Sequence, residues 1–218
     1  MPTDSPAPAV PRPPSSVPAR LAPLIEQFDF ARERLVRRMT GPTVDSGNGT
    51  DVPVVPLTDE EFAWEPVPDS WSVRRRADGP GKGATYLTGT GEWGRDAADG
   101  DQPWPPPFTT LAWRLSHLAE MLALRADHTA GTHTRDRTAY RTAGGAASGV
   151  AAFEAGADAW RAALLGADDT ALDTVGYSTY PHGSDPEDVF LTTVAWVNQE
   201  LLHHGAEIAL LRDLYVRC

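Results

Sequence analysis

The last third of the chain carries an acid and a histidine at a spacing that can hold a metal ion. Glu200 and His204 lie four residues apart in a segment with helical periodicity, so their side chains share one face of the predicted helix. His204 also falls in an apolar series, and a histidine there needs a partner, because burying an unsatisfied polar group costs free energy. The apolar members of the series are Phe190, Val194, Val197, Leu201, Ile208 and Leu211.

A third donor comes from an earlier helical segment, where His117 shares a face with Trp113, Met121 and Leu124. Its imidazole, together with the carboxylate and imidazole of the later helix, makes a set suited to zinc, nickel or ferrous iron, and three protein ligands leave positions open. Glu and His four residues apart also arise by chance. Spacing alone therefore leaves open the alternative that His204 is a hydrogen-bonded core histidine.

The other histidines are interpreted as surface residues. His203 points about 100° away from the apolar series and is expected to be solvated, with a place at the rim of a pocket as the alternative. His128 and His133 lie at or beyond the end of the second helix, and His182 lies in a predicted loop.

A structural role is also expected for several other conspicuous residues. Trp71 and Trp113 can wall a pocket, although large aromatic side chains more often pack in a core. Arg74 and Arg114 can bind a substrate carboxylate, although an ion-paired or solvated surface arginine is the more common case. Cys218 is the last residue and the only cysteine, so it forms no internal disulfide, makes a poor ordered nucleophile, and fits a reducing compartment.

Four segments with helical periodicity must position these groups. The first is stopped by Gly41-Pro42, the second is capped by Thr109 or Thr110, and the fourth starts near Ser184-Asp185-Pro186-Glu187. The predicted helices span about residues 16–39, 109–127, 146–165 and 184–215.

The connection between the first two helices is long and irregular. Residues 43–107 hold many Pro and Gly residues and no convincing strand series. Thr58 and the acids after it can cap a short helical turn, and Gly79–Gly83 predicts an exposed turn. Its aromatic content favours a segment packed across the helices. The predicted architecture is therefore an all-α four-helix bundle with one long crossover.

Length and composition favour one domain preceded by a tail. The chain has 218 residues, of which 41% are apolar, and a net charge of −11. Residues 1–15 are Pro-rich and are expected to be a disordered tail, with one domain at 16–218. The negative charge disfavours nucleic-acid binding. No apolar run approaches the roughly 18 residues of a membrane span, and a cytoplasmic location is expected.

Several motifs resemble the DinB superfamily. They are Trp-Ser-Val-Arg at 71–74, Thr-Thr-Leu-Ala-Trp-Arg-Leu-Ser-His-Leu at 109–118 and Asn-Gln-Glu-Leu-Leu-His-His-Gly-Ala-Glu-Ile at 198–208. The segment Leu-Leu-Arg-Asp-Leu-Tyr at 210–215 is similar to the actinobacterial members. The resemblance covers about residues 20–217. It implies an up-down-down-up four-helix bundle whose metal ligands match His117, Glu200 and His204.

Many members of that superfamily have histidine at both positions of the last helix. Glu200 is instead similar to the mycothiol-dependent maleylpyruvate isomerase branch, whose Glu-x-x-x-His motif is followed three residues later by an acid, as Glu207 is here. This resemblance implies a metal-dependent thiol transferase or isomerase. Zinc, or alternatively nickel or iron, would activate a thiol such as mycothiol, and Glu207 would act as a catalytic base or as the partner of a ligating imidazole.

The partners implied are a small-molecule substrate and a second copy of the chain in a homodimer. The alternative function is a non-catalytic bundle, in which the same three residues form a structural metal site or a polar core network.

Overall fold

The computed structural model describes residues 13–41, 43–45, 51–53, 55–100, 103–180 and 186–218. Residues 1–12 of the predicted tail, His182 and the predicted cap residues Ser184 and Asp185 lie outside them. Within the described residues the chain is mostly helical, with six α-helices and two small antiparallel sheets. The α-helices are α1 Ala22–Thr40, α2 Asp59–Ala63, α3 Leu111–Ala130, α4 Ala146–Leu165, α5 Asp169–Leu172 and α6 Phe190–Tyr215. The strands are β1 Thr43–Asp45, β2 Asp51–Pro53, β3 Val73–Arg75, β4 Tyr86–Thr88 and β5 Trp93–Ala97.

The four long helices, α1, α3, α4 and α6, surround one hydrophobic core. The closest packing is between α3 and α4 and between α1 and α6, and contacts of α3 with α6 and of α1 with α4 complete the arrangement. Large side chains such as Trp160, Phe28 and Phe190 are fully buried between them. Among the described helices, none has both the length and the apolar character needed to cross a membrane. The packing places α3 beside α6, and these helices carry the candidate metal ligands.

Local signals predicted several helix ends correctly. Thr110 caps α3, because its hydroxyl accepts a hydrogen bond from the Trp113 backbone N–H at 3.2 Å. Gly41 ends α1 with a φ of 71°, a conformation that glycine adopts at little cost. The third predicted helix, residues 146–165, coincides with α4. The predicted cap at Thr58 is confirmed at the start of α2, where its hydroxyl accepts from the Glu61 backbone N–H.

The predicted starts of the first and last helices were wrong. The segment that includes Val17 forms turns before α1, because Pro18 disfavours helical backbone at the residue before it. The last helix begins at Phe190 rather than near residue 184. Val189 is extended and pairs with Val175, and the Phe190 backbone N–H bonds to the Thr174 carbonyl.

The prediction that residues 43–107 contain no strands was also wrong. Strands β3, β5 and β4 form an antiparallel sheet in that order, with Val73 opposite Arg95 and Leu87 opposite Asp96. The fold is therefore mostly helical rather than all-α. Strands of three to five residues show too little alternation of apolar and polar residues to be recognised in the sequence.

A buried carboxylate organises the connection between α1 and α3, residues 43–107, which we call the insertion. Asp96 is fully buried and accepts hydrogen bonds from the Ser72 backbone N–H, the Gly81 backbone N–H and Arg74 Nε at 2.7–2.8 Å. Arg74 also pairs with Glu65, so it has the ion-paired role that the sequence suggested. Trp71 is buried and its indole N–H donates to the Lys82 carbonyl, so it packs inside the insertion.

Candidate metal centre

Three side chains that the sequence singles out as metal donors lie together between α3 and α6. Glu200 Oε2 lies 3.2 Å from His117 Nε2 and 3.4 Å from His204 Nε2. One donor atom from each of the three residues lies within 4.8 Å of the other two. The i,i+4 spacing on α6 aligns Glu200 with His204, and the packing of α3 against α6 supplies His117.

The surrounding rings hold the imidazoles in place. The His117 ring stacks on Trp113 at a centroid distance of 5.5 Å and meets the His204 ring edge to face at 4.9 Å. The side chains of His117, Glu200 and His204 are 18%, 23% and 13% exposed. The cluster is thus mostly shielded yet remains open to a small molecule.

The donor set fits a divalent metal ion. Tetrahedral zinc with ligand bonds of about 2.0–2.2 Å separates neighbouring donor atoms by roughly 3.3–3.6 Å. The two distances from Glu200, 3.2 and 3.4 Å, are close to that separation. Two imidazoles and one carboxylate also suit nickel and ferrous iron.

Glu207 sets the orientation of the His204 ring. Its Oε2 lies 2.6 Å from His204 Nδ1, whereas Arg114 Nη1 lies 3.4 Å from the same nitrogen and also contacts Glu207. An ionised carboxylate only accepts, so the short contact with Glu207 places the proton of the neutral ring on Nδ1, and the longer contact with the donating Arg114 guanidinium is the weaker one. The Nε2 lone pair then faces Glu200, as a metal ligand requires.

The electrostatics of the cluster favour an ionised carboxylate. Hydrogen bonds with His117 and with His204 hold the pKa of Glu200 far below its usual range, against the effect of burial. Burial lowers the pKa of His117, and the hydrogen bond with Glu200 offsets this only in part. Burial also opposes protonation of His204, but the carboxylates of Glu200 and Glu207 outweigh it and raise the pKa of His204. A metal ion would therefore meet an anionic carboxylate and compete with a proton for His204.

The other histidines that the structure describes add no donor atom to this cluster, although the His203 ring stacks on the His204 ring at a centroid distance of 4.8 Å. The His203 side chain is 64% exposed and contacts Glu207 through the oxygen that His204 does not use. His133 is exposed as expected. The prediction for His128 was wrong: it is 5% exposed, its Nε2 lies 2.8 Å from the Arg135 carbonyl, and it packs against Tyr180. The chain beyond α3 folds back over it, and helical periodicity does not reveal such a contact.

Sequence reasoning missed a charged cluster one turn along α3 from His117. The Glu120 side chain is 3% exposed, and its Oε1 accepts from Arg95 Nη2 at 2.9 Å and from Arg137 Nε at 3.1 Å. Glu120 follows His117 by three residues, so the two side chains lie on neighbouring faces of α3. This spacing is the sequence signal that could have identified Glu120. No local pattern marks Arg95 on β5 or Arg137 in the connection after α3.

Comparison with known proteins identifies a family whose model covers the residues of the candidate metal centre. A family model described as the DinB superfamily matches residues 92–208, just over half of the 218-residue chain. The matched range contains His117, Glu200, His204 and Glu207. No curated protein and no solved structure matches the chain. The chain therefore belongs to the DinB superfamily, a family of metal-binding folds.

Proposed function

We propose that this protein binds one divalent metal ion through His117, Glu200 and His204 and acts as a metal-dependent thiol transferase or isomerase. The observation that carries the proposal is the convergence of the three donor atoms within 4.8 Å of one another. Zinc is the proposed ion, with nickel or iron as alternatives. The thiol part of the proposal, with mycothiol as the candidate thiol, rests on the resemblance of the Glu200, His204 and Glu207 pattern to the mycothiol-dependent branch.

When bound, a divalent cation would supply a Lewis acid that lowers the pKa of a thiol. The thiol would belong to a cofactor, because Cys218, the only cysteine of the sequence, is exposed and is not part of the donor cluster. Glu200 supplies negative charge to the centre, and Glu207 holds the proton on His204 Nδ1. Glu207 can also take a proton from a substrate, which is the catalytic role proposed for it. Arg114 contacts Glu207 and compensates its charge.

The proposal includes an architecture. We propose that α1, α3, α4 and α6 run up-down-down-up within one domain spanning residues 16–218. The contacts among the four helices support a single domain. A cavity beside His117 supports a small-molecule substrate. Three further points stay predictions: the protein forms a homodimer, it is located in the cytoplasm, and it has no nucleic-acid partner.

One observation favours the alternative of a non-catalytic polar network. His117, Glu200, His204, Glu207 and Arg114 are already connected by hydrogen bonds and ion pairs. A network whose members satisfy one another can hold two helices in register without a metal ion. Metal titration separates the two functions.

The metal site is tested by thermal melting of tag-free protein with chelator and with added Zn²⁺ or Ni²⁺. Wild type should gain stability as RT ln(1 + [L]/Kd), about 2.7 kcal/mol at a metal concentration 100 times Kd. His204→Ala and Glu200→Ala should lose most of that gain, and His203→Ala, the matched control on α6, should keep it. Equal metal-dependent shifts of the melting temperature in wild type and His204→Ala would show that these residues do not form a metal site.

A second measurement separates a catalytic from a structural centre. Cobalt-substituted protein should develop a thiolate-to-metal absorption band when a small thiol such as 2-mercaptoethanol is added. The band requires a coordination position that the protein leaves open. If the thiol leaves the spectrum of the cobalt-loaded protein unchanged, the centre is closed and structural. The proposal that the metal ion activates a thiol would then be wrong.

A further inference from the structure

A cavity of about 220 Å³ lies beside the metal centre and shares His117 with it. This volume equals that of about seven liquid water molecules. A ligand portion of that size has roughly ten non-hydrogen atoms. The cavity is therefore large enough for a small metabolite.

The wall of the cavity carries an excess of positive charge. Arg125, Arg137 and Glu120 line it, and Glu120 is also paired with Arg95 behind the wall. Arg125 is buried, donates to the Ser178 carbonyl at 3.0 Å and interacts electrostatically with Asp188. Arginines thus collect here in a chain whose net charge is −11.

Arg137 is the cation best placed to meet a ligand. Its side chain is 37% exposed, and Nε is directed at Glu120. Among the described residues, Glu120 is the only side chain bonded to this guanidinium, so both terminal amino groups are available. A guanidinium held by one edge presents two parallel N–H groups, which match the two oxygens of a carboxylate.

The rest of the wall is apolar and aromatic. Met121 and Leu124 of α3 are buried, and Trp196 of α6 and Tyr180 complete the lining. The Arg125 guanidinium lies over the Trp196 ring at 5.0 Å and fixes it. The cavity therefore combines a cationic group with a surface suited to a hydrocarbon or aromatic body.

We propose that this cavity binds a small carboxylate with an apolar body, held at the carboxylate by Arg137 and along the body by Met121, Leu124 and Trp196. The bound molecule would lie against His117 and so present its reactive carbon to the metal centre. Its role as the substrate site rests on the proposed function, whereas the binding itself depends only on the cavity.

The experiment uses calorimetric titration of the full chain, stripped of metal and dialysed free of chelator, so that a carboxylate cannot bind through the ion. Benzoate is the probe, benzamide is its neutral counterpart, and inorganic phosphate tests for a simple anion site. Benzoate should bind wild type at least tenfold more tightly than benzamide or phosphate. Arg137→Gln should weaken benzoate binding about tenfold or more, because a hydrogen-bonded charge pair is lost.

Two further variants guard against a folding defect in Arg137→Gln. Arg137→Lys keeps the charge and should recover part of the affinity, and Met121→Phe should weaken benzoate and benzamide alike by filling the cavity. Arg135→Gln is the matched control, because Arg135 is 64% exposed and faces Asp127 instead of the cavity.

Equal binding of benzoate and benzamide, phosphate binding as tight as benzoate, or an unchanged benzoate affinity in Arg137→Gln would each overturn the proposal. None of these outcomes alters the metal titration, and loss of metal binding would not alter benzoate binding to metal-free protein. The failure of the cavity assignment and the failure of the proposed function are thus distinguishable.

Discussion

Glu207 joins three neighbouring side chains at the edge of the metal centre. Its Oε2 contacts His204 and Arg114, and its Oε1 lies 3.2 Å from His203. Only the His204 contact orients a predicted ligand, because the imidazole uses Nδ1 for Glu207 and leaves Nε2 for the metal ion. The role of Glu207 as the partner of a ligating imidazole therefore depends on one of its three contacts.

Replacing Glu207 tests that contact. Glu207→Ala should reduce zinc affinity about 10–100-fold, because the His204 ring loses the acceptor that sets its tautomer and orientation. Glu207→Gln keeps an uncharged acceptor and should lose less. Calorimetric titration with zinc measures both, and His203→Ala should bind zinc like wild type. Wild-type affinity in Glu207→Ala would mean that the helix backbone alone positions His204.

At the level of whole elements, the distance between α3 and α4 is set by a glycine. A Cβ atom on Gly156 would lie 2.9 Å from the Ala119 carbonyl oxygen and 3.3 Å from the Ala123 backbone nitrogen. Both neighbours are backbone atoms of α3, so they cannot move aside without moving the helix. Because α3 also carries His117, this close packing helps to place one of the predicted ligands.

Two glycine substitutions separate packing from helix propensity. Gly156→Ala should destabilise the metal-free protein by about 1–3 kcal/mol, since overpacking outweighs the gain in propensity. Gly205→Ala on α6 is the matched comparison, because its Cβ would meet Leu35 Cδ2 at an ordinary 3.8 Å. It should stabilise by about 0.5–1 kcal/mol. Urea unfolding measures both, and a stabilising Gly156→Ala would show that the helices can separate at little cost.

At the level of the whole molecule, a buried ion pair ties the insertion between α1 and α3 to the last helix. Arg212 of α6 contacts both carboxylate oxygens of Glu61 in α2, at 2.7 and 3.0 Å, and donates to the Val55 carbonyl at 2.7 Å. The two side chains are 8% and 5% exposed. The polar groups of the insertion and the helices thus satisfy one another where water is excluded.

Removing one partner of that pair should be costly. Glu61→Ala leaves the Arg212 guanidinium buried without a counter-charge, and we expect a loss of about 3–5 kcal/mol in the free energy of unfolding. Lys82→Ala breaks the exposed pair of Lys82 with Asp69 and should leave the urea midpoint almost unchanged. An equally small effect of Glu61→Ala would mean that water enters the junction and solvates Arg212.

The sequence by itself determined the features that depend on neighbours along the chain. Helix spacing put Glu200 and His204 on one face of α6, and their alignment is seen in the structure. The caps at Thr58 and Thr110 were predicted for the same reason, since a hydroxyl bonds to a backbone N–H three residues away. The metal-ligand role of His117, Glu200 and His204 stays a prediction, as does the catalytic role of Glu207.

Only the tertiary structure decided which distant groups meet. His117 lies 83 residues from Glu200 in the chain, and the packing of α3 against α6 brings them to 3.2 Å. The same holds for buried His128, for the short strands that pair around Asp96, and for Arg137 beside the cavity. Each depends on contacts between remote segments, and such contacts leave no periodic pattern in the local sequence, because their energy comes from partners that the chain reaches only after it has folded.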